Sequence, residues 1–312
     1  MTEKLKKIYT STLNNDFDRV DSYISSEFSE LSRSKIQTAA KNGLLLVNGK
    51  AVKPSFKLKE GDIIEIFLDD TEIKINPENI PLDIRYEDEN MLVVNKPKNM
   101  LSHPTTKELS GTLVNALLNR YGYEGLSDIN GVMRPGILHR LDRNTSGLLM
   151  IAKNNTTHEN LANQIKTKTA KRNYLAIVSG IFENLTGTIT GDIARHKTKC
   201  EKYTVQDGGK PSVTHYKVIE QFKNFAFIEL ELETGRTHQI RVHLSHIGHA
   251  IVNDSLYGGQ NIKVKTTEQV LQAYKLSFLN PVTSERINIE ISPDNDIIRV
   301  LNKLRNEKWK YF

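Results

Sequence analysis

The sequence predicts an α+β protein, a large and mostly antiparallel sheet carrying helices, preceded by a small module of two helices and a hairpin. Three observations carry that reading. From Phe225 to Glu233 the chain alternates: Ala226, Ile228, Leu230 and Leu232 share one face while Glu229 and Glu231 take the other, the period of a half-buried antiparallel strand. Leu148–Ala152 is an unbroken apolar run between Gly147 and Lys153, as in a strand buried on both faces. Near the start, Val20, Ile24 and Phe28 recur every four residues as one helical stripe, not far upstream of Asn48-Gly49, a strong hairpin signal.

The small module follows in order. The stripe implies a helix over residues 20–28. A second helix fits Ser32 to Gly43, with Ser32 or Ser34 as N-cap and Gly43 as stop. Leu44–Val47 then meets the Asn48-Gly49 turn, and Ile63–Leu68 is the last strand, after Gly61-Asp62. Residues 14–70 make this module. Residues 71–83 read as a linker stiffened by Pro77 and Pro81, and residues 84–312 as the large domain.

In the large domain Met91–Lys96 is a strand ended by Pro97, and Thr112–Leu118 an amphipathic helix. A helix from Thr156 to about Thr169 leads to a strand, Lys171–Val178. Gly191–Lys199 reads as a basic loop, Lys210–Val218 as a strand. Tyr274–Phe278 and Ile287–Ile291 are further strands, and Ile297–Lys308 a closing helix.

Composition narrows the function. Of 312 residues, 38% are hydrophobic and 26% charged, a folded-protein balance; Lys+Arg exceed Asp+Glu by 43 to 37, which suits a polyanionic partner without demanding one. One cysteine, Cys200, excludes an internal disulfide. The absence of a signal-like start and of a long apolar run predicts a cytoplasmic protein with no membrane segment. His238, His243, His246 and His249 suggest zinc at first sight, but their spacing fits no familiar ligand set, so no metal is expected.

The densest chemistry lies in His139-Arg140-Leu141-Asp142-Arg143-Asn144-Thr145-Ser146-Gly147-Leu148-Leu149, a charged loop running into the buried strand. This stretch resembles the signature motif of the RluA-type pseudouridine synthases. Lys96-Pro97 with His103-Pro104, Arg172-Asn173-Tyr174-Leu175-Ala176, and Gly235-Arg236-Thr237-His238-Gln239-Ile240-Arg241 resemble that family's other motifs. Lys98-Asn99 and Ser102 depart from the first of them. The small module resembles an S4 domain through Arg19, Ser32-Arg33-Ser34, Gly43, Val47-Asn48-Gly49-Lys50, Lys53 and Gly61-Asp62. Together these resemblances span residues 14 to 300.

The resemblance implies a pseudouridine synthase fold and conversion of uridine to pseudouridine in RNA without a cofactor. The residues Ala194–Lys199 and Gly209–Tyr216 look most like the branch acting on large-subunit ribosomal RNA, so the expected partner is that RNA or an assembling subunit, and the expected state a monomer. The resemblance makes Asp142 the reactive residue, Arg241 its ion-pair partner and Tyr174 the ring that stacks on the base. Leu141, Arg236, His238, Gln239 and Ile240 would flank the substrate. Arg140 would fill the gap left by an everted nucleotide or else contact phosphate. In the S4 module Arg33, Lys35, Lys50 and Lys53 would contact phosphates. Two rivals remain: an RNA chaperone whose synthase half is inactive, and a metal-dependent nuclease.

Overall fold

The computed structural model describes residues 6–13, 19–28, 31, 33–69 and 74–308. The chain divides into two compact units, Met1–Ile73 and Lys74–Phe312.

In the first unit β1 (Lys6–Thr12) is followed by α1 (Val20–Glu27) and α2 (Arg33–Lys41), then β2 (Leu45–Val47), β3 (Lys50–Ala51) and β4 (Ile63–Asp69). The strands form one sheet in the order β1-β4-β2-β3. Asn48 and Gly49 both take positive φ, 50° and 74°, the conformation a two-residue hairpin turn needs. Val20 and Ile24 of the helical stripe are buried with Ile36, Leu45, Val47, Ile64 and Ile66, and Phe28 packs on that core. Strand β1 was not expected. It pairs along β4 from Lys6↔Asp69 to Thr12↔Ile63, and only the β-propensity of Ile, Tyr and Thr marks it, since no apolar alternation does. The N-cap expected at Ser32 or Ser34 falls on a residue and a side chain outside those described.

The second unit continues with β5 (Ile84–Glu87), β6 (Met91–Lys96), α3 (Leu113–Tyr121), β7 (Ser146–Ala152), α4 (Asn155–Lys166) and β8 (Lys171–Ser179). Then come β9 (Thr186–Arg195), β10 (Tyr203–Val205), β11 (Lys210–Gln221), β12 (Phe225–Leu232), α5 (Gln239–His246), β13 (Leu271–Leu279), β14 (Arg286–Glu290) and α6 (Asn295–Lys308). The sheet runs β10-β9-β11-β12-β8-β13-β7-β6-β5, with β14 on β13. Every pairing is antiparallel except β13 with β7. This is the α+β architecture, with its large mixed and mostly antiparallel sheet, that the sequence predicts.

The parallel pair is short. It covers Gln272↔Ser146 and Ala273↔Gly147, after which β14 replaces β7 beside β13. A Cβ on Gly147 would run into the Ala273 backbone, and its φ of 123° also demands glycine. The Thr-Ser-Gly of the signature therefore lets two strands meet where the charged loop enters the sheet. All seven residues of β7 are buried, as the unbroken apolar run requires.

Two expectations change. Residues 74–83 lack regular structure, yet Ile75 is 1% exposed in the core of the second unit, and Asn115 Nδ2 donates to Asn76 O at 2.8 Å. From residue 74 onward the expected linker is docked. The basic loop expected at Gly191–Lys199 is strand as far as Arg195, because Thr188, Ile189, Thr190 and Ile193 supply a β-branched ladder to β11. Among the described residues no helix is long and apolar enough to cross a membrane.

Candidate active site

Asp142 sits on the loop before β7, and that loop is pinned at the residues on either side of it. The Ser102 hydroxyl donates to Leu141 O at 2.9 Å and accepts from Leu141 N–H at 3.1 Å, all of it buried. Lys96, 1% exposed at the end of β6, donates to Arg143 O at 3.2 Å as well as to Pro97 O and Met100 O at 2.7 and 2.8 Å. Burial pulls the Lys96 ammonium down to about 7, against the pull of Asp142. Lys96 is thus spent on backbone carbonyls rather than phosphate. Thr145 N–H donates to Asp142 O at 3.1 Å and closes the turn.

Arg241 comes from α5, 99 residues further along the chain. Its Nη1 donates to Asp142 Oδ2 at 3.1 Å. Its Nε and Nη2 grip Asp254 at 2.7 and 2.9 Å in a bidentate pair. Asp254 is fully buried and also accepts from the Leu256 and Tyr257 N–H groups, so it is rigid. Burial opposes the Arg241 charge, but the Asp254 bond and Asp142 outweigh it and raise the pKa. The guanidinium also lies 4.9 Å from the Tyr257 ring centroid.

His238 caps α5 in the left-handed conformation, φ 57°, a local strain of the kind that gathers at functional sites. Its Nδ1 meets the Tyr257 hydroxyl at 2.9 Å, and its Nε2 lies 3.8 Å from Asp142 Oδ2. The Tyr257 hydroxyl accepts from Tyr203 N–H, so its own proton is free to serve Nδ1, leaving Nε2–H facing the carboxylate. Burial lowers the His238 pKa, keeping the ring neutral.

Asp142, Arg241 and His238 line a cleft of about 350 Å³ that also holds Tyr174, Arg140, Leu141, Ile240 and Arg236, while Asp254 and Tyr257 support it from behind. Tyr174 is 5% exposed, and among the described residues its hydroxyl makes no hydrogen bond; burial raises its pKa. Arg140 is exposed at the rim. Gln239 lines the cleft as well, but its amide is fully engaged inside the protein. Its amide donates to Val213 O and Thr214 Oγ1 and accepts from Thr234 Oγ1 and Arg236 N–H, so it ties the loop to β11 with no polar atom left for a ligand. The other histidines go separate ways: His243 pairs with Thr214 Oγ1 and His249 with Ser179 O. In the first unit Lys35, Lys50 and Lys53 are exposed, whereas Arg33 is engaged with Asp21 at 3.3 Å and Ser22 at 2.8 Å.

Comparison with known proteins now bears on this geometry. The RNA pseudouridylate synthase family model matches residues 90–246, and the S4 domain model residues 18–64. The uncharacterized RNA pseudouridine synthase YlyB of Bacillus subtilis is 43% identical over 92% of this chain and 94% of its own length. The ribosomal large subunit pseudouridine synthase D of Pasteurella multocida is 38% identical over 92% of this chain and 91% of its own. This chain belongs to the RNA pseudouridine synthase family. The solved human RNA pseudouridylate synthase domain containing 1 shares the fold, with a TM-score of 0.54 and 24% identity over 73% of this chain and 96% of that one.

The synthase motifs named in the sequence therefore converge in space: the signature loop, the β8 tyrosine and the α5 arginine share one cleft. Sequence reasoning missed Asp254, Tyr257 and the role of Ser102. Asp254 stands in Asn253-Asp254-Ser255 without any charged neighbour, so nothing local marks it as the partner of an arginine 13 residues away. Ser102 drew notice only as a departure from the family pattern.

Proposed function

We propose that this synthase isomerises specific uridines of large-subunit ribosomal RNA to pseudouridine, acting in the cytoplasm as a monomer that takes free RNA or an assembling subunit. The carrying observation is the Asp142–Arg241–Asp254 chain, whose first two members line the same cleft as Tyr174 while buried Asp254 anchors Arg241. Asp142, its side chain 17% exposed, keeps one oxygen unclaimed by Arg241 and open to a ligand. A carboxylate so placed can attack the sugar or the base as nucleophile, or take a ribose proton while the glycosidic bond breaks. Tyr174 offers a face for the uracil and Ile240 packs beside it, and such stacking is worth ~1–3 kcal/mol. The nucleotide must leave its stack to reach this depth, and Arg140 at the rim takes its place.

Leu141, Arg236 and His238 border the base or its sugar, while Gln239 acts indirectly by fixing that loop. Lys35, Lys50 and Lys53 of the S4 unit contact phosphates, with Arg33 contributing from its pair with Asp21. The relatives named for the large ribosomal subunit support the substrate class. The test is incubation of the protein with unmodified rRNA fragments carrying C5-tritiated uridine. Tritium release with RNA of unchanged length is the expected result; binding without release, or shortened RNA, refutes the reading.

A further inference from the structure

Three residues lining the cleft have a buried nitrogen without a partner, His103 Nε2, His139 Nδ1 and Arg172 Nε. His103 donates from Nδ1 to Pro104 O, so its Nε2 is an acceptor, and the two donors are left idle by the chemistry above. Arg172, two residues before Tyr174 on β8, is 4% exposed and lines the same cleft. Its Nε is buried without a partner, and among the described residues its guanidinium meets no carboxylate. Arg241 shows how this fold treats a guanidinium it neutralises, with carboxylates on two sides. A buried charge left unpaired is costly, so a retained one implies a partner that arrives from outside. Gly235 makes the room: a Cβ there would lie 2.8 Å from Arg172 Nη1, and its φ is not in the left-handed region, so glycine serves space rather than backbone.

His139 lines the cleft as well. Its Nε2 accepts from Met150 N–H at 3.2 Å, an obligate donor, so the neutral ring carries its proton on Nδ1. That Nδ1 is buried and unpartnered. Burial, and then the charge of Arg172, hold the ring down at about 3, so the ring stays a neutral donor wherever the enzyme works. Both side chains stand in the wall of the one cleft.

We propose that His139 Nδ1–H and the Arg172 guanidinium form a donor pair for a carbonyl oxygen of the everted uracil. This rests on the reading that a uridine enters the cleft, and adds what holds the base while it is detached. When C1′–N1 breaks, the bonding electrons stay with the base, and the anion shares its charge among N1, O2 and O4. Meanwhile C1′ is held by the carboxylate or joins a C1′=C2′ double bond after the carboxylate takes the C2′ proton. The new C1′–C5 bond uses the base's electrons; on the second route the proton taken from C2′ returns there. C5 gives up its proton and N1 gains one, so nothing is oxidised or reduced. Donors fixed at a carbonyl bind that anion better than neutral uracil, the same logic as an oxyanion hole. A phosphate fits less well, because it stays on the RNA strand outside, whereas these nitrogens lie in the wall beside Tyr174.

The test uses the full chain and rRNA fragments transcribed with uridine, 2-thiouridine or 4-thiouridine. Pseudouridine formation is followed in single turnovers, and RNA binding as a function of salt. Arg172→Met should cut the rate by roughly 100-fold, the usual cost of one such donor, with affinity and salt slope unchanged. One of the two thio-RNAs, whichever replaces the bound oxygen, should slow wild type and leave Arg172→Met no slower. Gly235→Ala, which displaces Nη1 and keeps the charge, should lose rate in the same sense, and it carries the test if Arg172→Met does not fold. Weaker binding with a salt slope reduced by about one would mark a phosphate contact and overturn the proposal. So would a lower melting temperature with unchanged rate and unchanged thio discrimination. A wild type that makes no pseudouridine sinks the uridine reading and this proposal with it; an active wild type with indifferent variants sinks the donor pair alone.

Discussion

Each unit of this protein contains a cluster of arginine and aspartate, and the two are built with opposite stoichiometry. In the first unit one buried carboxylate, Asp21, receives Arg19 through two bonds of 2.9 Å, Arg33 at 3.3 Å and Gln37 at 3.1 Å. In the second unit one guanidinium, Arg241, serves two carboxylates, Asp254 by a bidentate pair and Asp142 by a single bond of 3.1 Å. A carboxylate with donors on both oxygens has nothing left to offer; it fixes where α1 and α2 meet. A carboxylate given one nitrogen of a shared guanidinium is held in place and still open on its other oxygen. Surplus donors build structure, whereas a shortage of them leaves a reactive group.

The sharpest way to break this contrast is at Asp142. Asp142→Asn keeps the shape and removes the charge, and the expected loss of tritium release is roughly 10⁴-fold or more. Its melting temperature should stay within a few degrees of wild type, since Asp254 still holds Arg241. Retained turnover would falsify the role of Asp142.

Asp254→Ala comes next. It strands Arg241 with a single acid, and breaking a fully buried pair costs about 3–5 kcal/mol of stability. Turnover should also fall, by on the order of 100-fold, because the arginine is free to swing and claim both oxygens of Asp142. Urea unfolding and single-turnover rates measured on the same preparation separate the two losses. An unstable but fully active variant would mean that Asp254 is structural only, like Asp21.

Asp21 should respond in the opposite way. Asp21→Asn is expected to weaken the first unit while leaving the rate on bound RNA unchanged. The Arg19 bond, opposed by burial and helped by Gln37 and Arg33, lowers the Asp21 pKa below its ordinary value of 3.8. A lowered acid contributes stability that is complete above the unfolded value and lost as pH falls through the folded one. Acid titration should therefore unfold the first unit of Asp21→Asn at a higher pH than that of wild type. Coincident acid transitions would show that the cluster contributes nothing.

What the sequence made legible follows from the range of the forces involved. Strands β7 and β12 and helix α1 were readable because their apolar periods are local, and so was the Asn48-Gly49 turn. The signature, tyrosine and arginine motifs were readable because each is contiguous. Strand β1 was not, since its partner lies in β4 and its own side chains carry no alternation. Nor was Asp254, whose meaning comes from a guanidinium on another element. Gln239 shows the converse: its motif marks it as a cleft residue, and it does line the cleft, but nothing local announces the four internal bonds of its amide.

Ser102 offers the finest test of the comparison, because it acts on Asp142 without touching charge. Its hydroxyl both donates to and accepts from the Leu141 backbone, one residue before the carboxylate, at 2.9 and 3.1 Å. Ser102→Ala leaves a buried N–H and C=O without partners, a cost of about 1–3 kcal/mol that the loop can escape only by shifting. A shift of a fraction of an ångström at Leu141 passes directly to Asp142, while Arg241 keeps its bidentate hold on Asp254. The expected outcome is a fall of roughly ten-fold in the single-turnover rate with RNA affinity unchanged, since the basic rim is unaltered. Ser102→Thr keeps the hydroxyl and should recover most of that rate if the added methyl group fits. If Ser102→Ala lost stability alone, the open carboxylate would owe its position to Arg241 and to the Lys96 and Thr145 bonds on its other side, and the Ser102 clamp would belong with the saturated cluster around Asp21 as structure.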